Sequence, residues 1–263
     1  MELQLAKKIA LVTGSTAGIG NAIAQSLARE GATVIVNGRH SAAVDEAVAA
    51  IKADARGDVV GFAGDLAQAQ VAEALLKRHP TVDILVNNLG IYEVKPFEKI
   101  SDADWQRLFD VNVLSGVRLS RLYLPAMRQR NWGRIIFISS ESGYHIPAEM
   151  IHYGVTKAAQ IAVARGLAET TAGSGVTVNT VLPGPTRSRG VADFVAEMAS
   201  QTGKSVATIE GEFFKTARPT SLLQRFATTQ EVAAMVTYVA SPLSSATNGA
   251  ALRVDGGTIK TAF

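Results

Sequence analysis

Residues 8–20 read K-I-A-L-V-T-G-S-T-A-G-I-G, and this stretch decides the fold. The apolar run at 8–13 predicts a short buried strand, and the alanine-rich pattern that continues to about residue 30 predicts a helix. The glycines between them predict a tight turn. Strand, glycine-rich turn and helix in this order begin a βαβ unit of the kind that binds a dinucleotide.

Each glycine of this turn has a predicted task. Gly14 permits the tight turn, and Gly18 lets the backbone approach a pyrophosphate at the N-terminus of the helix. Gly20 allows the helix to pack closely on the strand. The alternative is an ordinary helix N-terminus in which the glycines are incidental. The predicted cofactor contacts of the turn are Gly14, Ser15, Thr16, Gly18, Ile19 and Gly20.

Strand and helix patterns continue to alternate through the first half of the chain. Apolar runs at 33–37, 58–63 and 82–87 predict strands, and helical patterns at 41–54 and from about 66 to 79 separate them. Repeated βα units predict an α/β fold with a doubly wound parallel sheet.

The end of the second predicted strand indicates which dinucleotide binds. A carboxylate there would bind the 2′-hydroxyl of NAD, whereas an arginine accommodates the 2′-phosphate of NADP. Asn37-Gly38-Arg39 has an arginine and no carboxylate, which favours NADP(H) and leaves NAD(H) as the alternative. Arg39 would otherwise be a surface residue paired with Asp45 or Glu46.

A carboxylate follows the third predicted strand, in Asp65-Leu66. The carboxyl ends of parallel strands share one edge of a sheet, where ligands of such folds bind. Asp65 is predicted to accept a hydrogen bond from an adenine amino group, to cap the next helix, or to do both.

The second half of the chain is organised around residues 134–157, which read R-I-I-F-I-S-S-E-S-G-Y-H-I-P-A-E-M-I-H-Y-G-V-T-K. A buried strand at 134–138 ends in two serines, and a helix follows Pro147. Tyr153 and Lys157 are four residues apart and share one helix face.

This tyrosine and lysine predict acid–base chemistry. A free tyrosine ionises near pH ~10, and a positive charge about 4 Å away is worth roughly 4 kcal/mol at an effective dielectric of ~20. Lys157 is therefore predicted to lower the pKa of Tyr153 toward neutrality, where a general acid or base works best. Ser140 is predicted to donate a hydrogen bond to a substrate oxygen. The alternative is an interfacial tyrosine beside a solvated lysine.

Three further segments complete the prediction. A capping box at Ser101-x-x-Asp104 predicts the start of one long helix to about residue 127. On its apolar stripe Asn112 is predicted either to hold a water near Lys157 or to be a satisfied core amide. A strand at 176–182 ends in P-G-P-T, which should face the nicotinamide, and the insertion at 187–221 is predicted to form a lid of two short helices.

Composition narrows the function classes. The chain has 263 residues, 47% hydrophobic, a net charge of +3 and no cysteine, which suits a single domain over 1–263 with no nucleic-acid partner. The four histidines lack metal-ligand spacing, so no metal site is predicted. No signal-peptide pattern or membrane-length apolar run is present, and a cytoplasmic protein without a membrane partner is expected.

Taken together, these motifs resemble the one-domain short-chain dehydrogenases/reductases, and the chain is similar to the 3-oxoacyl-carrier-protein reductases among them. The resemblance implies a Rossmann-type, seven-stranded parallel sheet in the order 3-2-1-4-5-6-7 and a homotetramer. It also selects Ser140 over Ser139, because the serine of the family stands thirteen positions before its tyrosine. The motifs that carry it are T-G-x-x-x-G-I-G at 13–20, Asp65, N-N-x-G at 87–90, Asn112, Ser140, Y-x-x-x-K at 153–157, P-G at 183–184 and D-G-G at 255–257.

The resemblance also implies roles for particular residues. Lys157 would hold the nicotinamide ribose and Thr186 the carboxamide. Leu89 stands where the family usually has alanine. The turn at 15–17 lacks the cation that NADP-binding members often carry there, so Arg39 alone supports NADP. The implied catalytic residues are Asn112, Ser140, Tyr153 and Lys157, and the further cofactor contacts are Arg39, Asp65, Leu66, Asn88, Gly90, Tyr153, Lys157, Pro183, Gly184 and Thr186.

The prediction is thus an NADP(H)-dependent oxidoreductase that transfers a hydride between the nicotinamide and a small carbonyl or secondary alcohol substrate, with a tyrosine as general acid and base. The alternatives are an NAD(H)-dependent alcohol or sugar dehydrogenase of the same family and a non-catalytic dinucleotide sensor on the same fold.

Overall fold

The computed structural model describes residues 2–262, apart from the side chains of Arg189 and Phe194. Its strands are β1 (Ile9–Val12), β2 (Thr33–Gly38), β3 (Val59–Ala63), β4 (Ile84–Asn87), β5 (Gly133–Ile138), β6 (Val176–Pro183), β7 (Thr186–Arg187), β8 (Ala227–Thr228) and β9 (Ala251–Val254). Its α-helices are α1 (Gly18–Arg29), α2 (Ser41–Lys52), α3 (Ala69–Arg78), α4 (Asp102–Phe109), α5 (Ser115–Gln129), α6 (Ile151–Glu169), α7 (Arg189–Thr202), α8 (Val206–Thr216) and α9 (Thr229–Ala240).

Seven strands form one parallel sheet in the order β3-β2-β1-β4-β5-β6-β9, and β7 pairs with β8 separately. The predicted doubly wound sheet and its strand order are therefore confirmed, with β9 as the seventh strand. Both faces are buried, as in other sheets with helical crossovers.

Strand β1 shows how the sequence fills both faces of the sheet. Ala10 and Val12 pack into the apolar cluster beneath α1 and α9, while Leu11 points to the opposite cluster beneath α3, α5 and α6. Successive strand side chains alternate between faces, so a continuous apolar run serves two cores.

The predicted long helix after Ser101 is interrupted. The capping box forms, since the Ser101 hydroxyl accepts from the Asp104 amide and the Asp104 carboxylate accepts from the Ser101 amide. After α4, however, residues Asp110–Leu114 form a π-helical turn before α5 begins. Such a turn leaves backbone groups out of the regular ladder and is frequent at functional sites.

Helices α7 and α8 form a small unit of their own beside the sheet. Val195, Ile209 and Phe214 are buried in an apolar cluster with Phe226, whose ring stacks on Phe213 at a centroid distance of 5.0 Å. The two helices predicted within 187–221 are therefore present. Within residues 2–262, none of the helices has the length and apolar character needed to cross a membrane.

Candidate active site

The glycine turn joins the end of β1 to the start of α1. Gly14 and Gly18 both have φ of +59°, in the left-handed region that side chains disfavour. A Cβ on Gly20 would lie 2.4 Å from the Asn88 amide nitrogen and 2.5 Å from the Gly14 carbonyl oxygen. Gly20 therefore packs against the turn itself and against Asn88, which corrects the prediction that it packs on the strand.

Asn88 and Thr13 hold this turn in place. The Asn88 side-chain amide donates to the carbonyl oxygens of Thr13 (2.9 Å) and Gly14 (3.1 Å), and the Thr13 hydroxyl accepts from the backbone amides of Asn88 and Leu89. Asn88 was predicted to contact the cofactor, yet its side chain supports the loop. Thr13 was absent from the predicted site, although it opens the T-G motif.

Two other residues of the turn also direct their side chains inward. The Ser15 hydroxyl donates to the Val12 carbonyl and accepts from the Asn37 amide, and the Ile19 side chain packs on the apolar core. Any contact of Ser15 or Ile19 with a phosphate would therefore come from the backbone.

A cavity of about 400 Å³ opens beside the turn, between the carboxyl ends of β1, β2, β3 and β4. This volume lies within the range of small-molecule sites. Gly38 leaves room for the Thr16 side chain at this cavity, since a Cβ on Gly38 would lie 2.5 Å from Thr16 Cγ2. The residues present thus fit a nucleotide, and the lining includes Gly14, Thr16, Arg39, Asp65, Leu66, Leu89 and Gly90.

Two polar side chains predicted to bind the adenosine end lie at this cavity. Arg39 is exposed and, within residues 2–262, forms no ion pair, so the alternative of a pair with Asp45 or Glu46 is wrong. Asp65 Oδ1 accepts from the Ala67 amide at 3.0 Å. Because α3 begins only at Ala69, Asp65 closes a local turn and does not cap the helix.

The π-helical turn presents Asn112 toward Lys157. The Asn112 side chain is 1% exposed and exchanges hydrogen bonds with both backbone groups of Ile91 (2.8 and 2.9 Å), while its amide also donates to the Thr156 hydroxyl. Its backbone carbonyl accepts from Gln160 Nε2 at 2.6 Å. Asn112 is thus a fully partnered amide at the crevice.

Gln160 was not among the predicted residues, although it joins two that were. Lys157 Nζ donates to the Ile138 carbonyl at 3.0 Å and to Gln160 Oε1 at 3.1 Å. Gln160 therefore links Lys157 to Asn112. Its position three residues after Lys157, on the same helix face, is a sequence signal that would have identified it.

Tyr153 and Lys157 lie together on α6, with Nζ 5.6 Å from the centre of the phenol ring. Burial raises the pKa of Tyr153 above its ordinary value, against the lowering effect of the Ser140 hydroxyl, and Glu141 adds to the rise. Burial lowers the pKa of Lys157 to about 8. The shift thus runs opposite to the prediction, because removal of the phenol from water is its largest cause. The Lys157 ammonium donates instead to Ile138 and Gln160. The phenol is held in its protonated form at neutral pH.

The two serines after β5 face different ways. The Ser139 hydroxyl donates to the Lys157 carbonyl at 2.7 Å and so faces α6. The Ser140 hydroxyl lies 2.6 Å from Glu141 Oε2 and interacts with Tyr153. Ser140 rather than Ser139 is therefore beside the phenol. Tyr92 packs edge-on against Tyr153 at a centroid distance of 6.2 Å.

The segment after β6 closes the other side of the crevice. A Cβ on Gly184 would lie 2.6 Å from the Asp255 carbonyl oxygen, so the turn at Pro183–Gly184 requires glycine. The Thr186 hydroxyl donates to the Gly184 carbonyl at 2.9 Å. The sequence placed this turn at the carboxyl end of a strand, and the structure agrees.

Replacing Gln160 with leucine should shift the pH dependence of nucleotide binding. The leucine removes an acceptor from the Lys157 ammonium, so the pKa of Lys157 should fall below about 8. The charged form of Lys157, which the family resemblance implies holds the nucleotide, would then be lost at lower pH than in the unmodified protein, and nucleotide affinity with it. Fluorescence titration of NADPH between pH 6 and 10 measures this.

Gln160→Glu is the matched control, because an anionic acceptor should raise the pKa of Lys157 and move the loss of binding to higher pH. Both variants lose the bond from Nε2 to the Asn112 carbonyl, so thermal denaturation must show that each is folded. Profiles that move in the same direction for both variants would contradict the link between Gln160 and Lys157.

Comparison with known proteins identifies the family of the chain. The short-chain dehydrogenase family model matches residues 8–199. The uncharacterized oxidoreductase YvrD of Bacillus subtilis is 47% identical over 99% of this chain and 100% of its own. The 3-oxoacyl-[acyl-carrier-protein] reductase FabG of Aquifex aeolicus is 33% identical over 98% of this chain and 99% of its own.

Solved structures give the same result. L-sorbose reductase of Gluconobacter frateurii, complexed with NADPH and L-sorbose, superposes with a TM-score of 0.92 and 30% identity over 99% of this chain and 100% of its own. The fold and the site define an NAD(P)-dependent oxidoreductase. The chain belongs to the short-chain dehydrogenase/reductase family.

Proposed function

We propose that this protein is an NADP(H)-dependent oxidoreductase that transfers a hydride between the nicotinamide and a carbonyl or secondary alcohol carbon. The observation that carries the proposal is the meeting of Ser140, Tyr153 and Lys157 at the carboxyl edge of the sheet that also holds the glycine turn. A protonated phenol beside a hydroxyl is suited to give a proton to a carbonyl oxygen as the carbon receives a hydride.

Each polar residue of the crevice has a distinct task in this proposal. Tyr153 donates its proton to the substrate oxygen in reduction and removes it in oxidation. Ser140 contacts and orients that oxygen. Lys157, with Asn112 behind it, holds the nicotinamide ribose and supports the return of the proton to Tyr153. The bound NADPH supplies the hydride.

Residues that follow four strands would hold the nucleotide. The glycine turn would receive the pyrophosphate at the N-terminus of α1, whose N-cap residue Ala17 offers no side-chain cap for the amides there. Asp65 and Leu66 would contact the adenine, and Thr186 the carboxamide. Arg39 supports NADP(H) as the cofactor, and the NADPH complex of the L-sorbose reductase supports it further.

The segment 187–221 would cover the substrate. Its helices α7 and α8 have their own apolar cluster, and Arg218 near its end pairs with Glu141 beside Ser140. A cover that carries a charged residue to the crevice would both exclude water and contact the substrate.

The proposed function is tested by a substrate screen that follows NADPH and NADH absorbance in parallel. Small ketones, keto sugars, 3-oxoacyl thioesters and the corresponding alcohols form the panel. We expect turnover of at least one alcohol–carbonyl pair with NADP(H) preferred. A preference for NADH would favour the NAD(H)-dependent alternative, and tight nucleotide binding without any turnover would favour a dinucleotide sensor.

We also propose that the chain assembles as a homotetramer through the outer face of α5 and α6. A groove there combines apolar side chains with two arginines, and it is lined by Val117, Arg121, Leu124, Pro125, Arg128, Val163, Leu167 and Thr170. Apolar area together with arginine is typical of protein–protein contacts.

Leu167→Arg should split this assembly, because it removes apolar area from the groove and adds a third cation beside Arg121 and Arg128. Light scattering after gel filtration should show four times the 27.7 kDa of one chain for the unmodified protein and a smaller mass for the variant. Arg165→Gln, a charge change on the same helix outside the groove, serves as the control. An unmodified protein that elutes as a monomer would contradict the proposal.

A further inference from the structure

Two loops beside the crevice carry exposed apolar side chains that the mechanism proposed above does not use. Tyr92 and Val94 lie on the loop that follows β4, and Tyr92 is 63% exposed. Tyr144 and Ile146 lie on the loop that follows β5 and are exposed as well. Single apolar side chains scattered over a surface need no explanation, whereas several that gather at one place mark a binding site.

These two loops meet beside Tyr153. The Tyr92 ring lies edge-on to the Tyr153 ring at a centroid distance of 6.2 Å. A Cβ on Gly154 would lie 2.6 Å from Ile146 Cγ2, so Ile146 packs on α6 directly after Tyr153. The loops are joined by a backbone hydrogen bond of 3.0 Å from residue 95 to residue 149. The exposed apolar side chains therefore lie around the phenol that would meet the substrate oxygen.

The cation that the segment 187–221 brings to this region is already balanced. Arg218 Nε donates to Glu141 Oε1 at 2.9 Å, and Arg218 Nη1 lies 3.9 Å from Glu149 Oε1. Lys157 is engaged with the nicotinamide ribose in the proposed function. A substrate carboxylate would thus give up its water without gaining an unpaired cation, and it would meet two carboxylates of the protein.

We propose that the substrate is an uncharged ketone, or the corresponding secondary alcohol, with an aryl group on the carbon that exchanges the hydride, and that Tyr92 is the specificity-determining residue that contacts the aryl ring. The inference rests on the proposed function, to which it adds the class of substrate. Aromatic rings in edge-to-face or offset contact attract each other beyond the effect of the area they bury. Tyr92 already makes such a contact with Tyr153, and most of its surface is free to cover a ring of the substrate.

The aryl group takes no part in the chemistry. In reduction the hydride goes to the carbonyl carbon and the proton of Tyr153 goes to the carbonyl oxygen, so the bond from that carbon to the ring is kept. The contact with Tyr92 is therefore present before the reaction as well as during it. Loss of such a contact raises KM and leaves kcat nearly unchanged.

Tyr92→Ala tests the contact through two ketones that share a methyl group. Acetophenone carries a phenyl ring on its carbonyl carbon, and 2-butanone carries an ethyl group. The ratio of kcat/KM for acetophenone to that for 2-butanone should fall by about tenfold, which corresponds to about 1.4 kcal/mol, and the fall should come from the KM of acetophenone. A purely structural role of Tyr92 beneath Tyr153 would lower kcat for both ketones and leave the ratio unchanged.

Two variants serve as controls for this ratio. Tyr92→Phe keeps the ring and should keep the ratio. Tyr238→Ala removes an exposed tyrosine from α9 and should leave both rates unchanged. A ratio that stayed the same in folded Tyr92→Ala would overturn the proposal.

A binding measurement needs no turnover. Acetophenone, benzoylformate and L-sorbose are titrated by calorimetry into protein saturated with NADP⁺, which cannot reduce them. Benzoylformate has a carboxylate where acetophenone has its methyl group, so the two report on charge. Acetophenone should bind at least about tenfold more tightly than either of the others. Glu141→Gln should narrow the gap to benzoylformate, because Arg218 would lose its anionic partner beside Tyr153.

Tighter binding of benzoylformate or L-sorbose than of acetophenone would overturn the proposal, as would equal affinity of acetophenone for the unmodified protein and Tyr92→Ala. Turnover of other carbonyls without the aryl preference would overturn the substrate class and leave the proposed function in place. If no carbonyl were turned over, the proposed function would fail, and the binding measurement would still decide whether the crevice prefers an uncharged aryl ketone.

Discussion

Tyr153→Phe is expected to lower kcat in both directions by about 10³-fold, within the range that a positioned acid or base contributes. The substitution removes only the hydroxyl and keeps the ring that packs against Tyr92. Burial raises the pKa of Tyr153, so the phenol carries its proton at neutral pH. Initial rates from nicotinamide absorbance measure the loss.

The effect should be large because the neighbouring groups are already engaged. Glu141 accepts from Arg218 and from Ser140, and the Lys157 ammonium donates to Ile138 and to Gln160. Neither group can take over proton transfer without breaking a buried interaction, which costs about 1–3 kcal/mol or more for a charged group.

Two controls separate chemistry from folding. Tyr238→Phe, on the partly exposed face of α9, makes the same chemical change far from the crevice and should leave kcat unchanged. The dissociation constant of NADPH for Tyr153→Phe should stay within about threefold of the unmodified value, since Lys157 and the glycine turn are intact. If Tyr153→Phe kept more than a tenth of the turnover, the phenol would not be the proton donor.

The parts of this molecule that the sequence predicts well are governed by local rules. The strand at Ile9–Val12 follows from its apolar run, and the positive φ of Gly14 and Gly18 follows from the tight turn that glycine permits. The parallel order of strands follows from the alternation of strand and helix, since crossover connections restrict the topology.

The parts that it missed depend on contacts between distant positions. The Glu141–Arg218 pair joins residues 77 apart, and nothing in either local sequence indicates the other. The π-helical turn at Asp110–Leu114 has no compositional signal, because its residues also suit an α-helix. Its backbone shift is stabilised from outside, by the bond from Gln160 to the Asn112 carbonyl.

The pKa of Tyr153 was predicted in the wrong direction for a related reason. Spacing on a helix shows that Lys157 is near, but the cost of removing a phenol from water depends on how the whole crevice is packed. Burial is the largest cause of the shift, and Glu141 adds to it. Neither could be read from the interval between two residues.

Arg39→Glu is expected to lower the preference for NADPH over NADH, measured as the ratio of kcat/KM values, by about 10²-fold or more. Arg39 lies at the nucleotide cavity directly after β2, exposed and without an ion pair within the described part of the chain. A charge-assisted bond to a 2′-phosphate is worth about 1.5–3 kcal/mol, and each 1.4 kcal/mol is about tenfold. The carboxylate would also repel the phosphate and accept from the ribose hydroxyl of NADH.

A second arginine lines the cavity, so the 2′-phosphate could in principle bind either of the two. Arg107 also lines it, but Arg107 is paired with Glu93 and lies near Asp104, so its charge is already balanced. Lys52→Gln, an exposed cation at the end of α2, controls for net charge and should leave the ratio unchanged. Because Arg39 is exposed, added salt should weaken NADPH binding to the unmodified protein and spare NADH. An unchanged ratio in Arg39→Glu would contradict this prediction. It would mean that another group binds the 2′-phosphate, or that the protein prefers NADH.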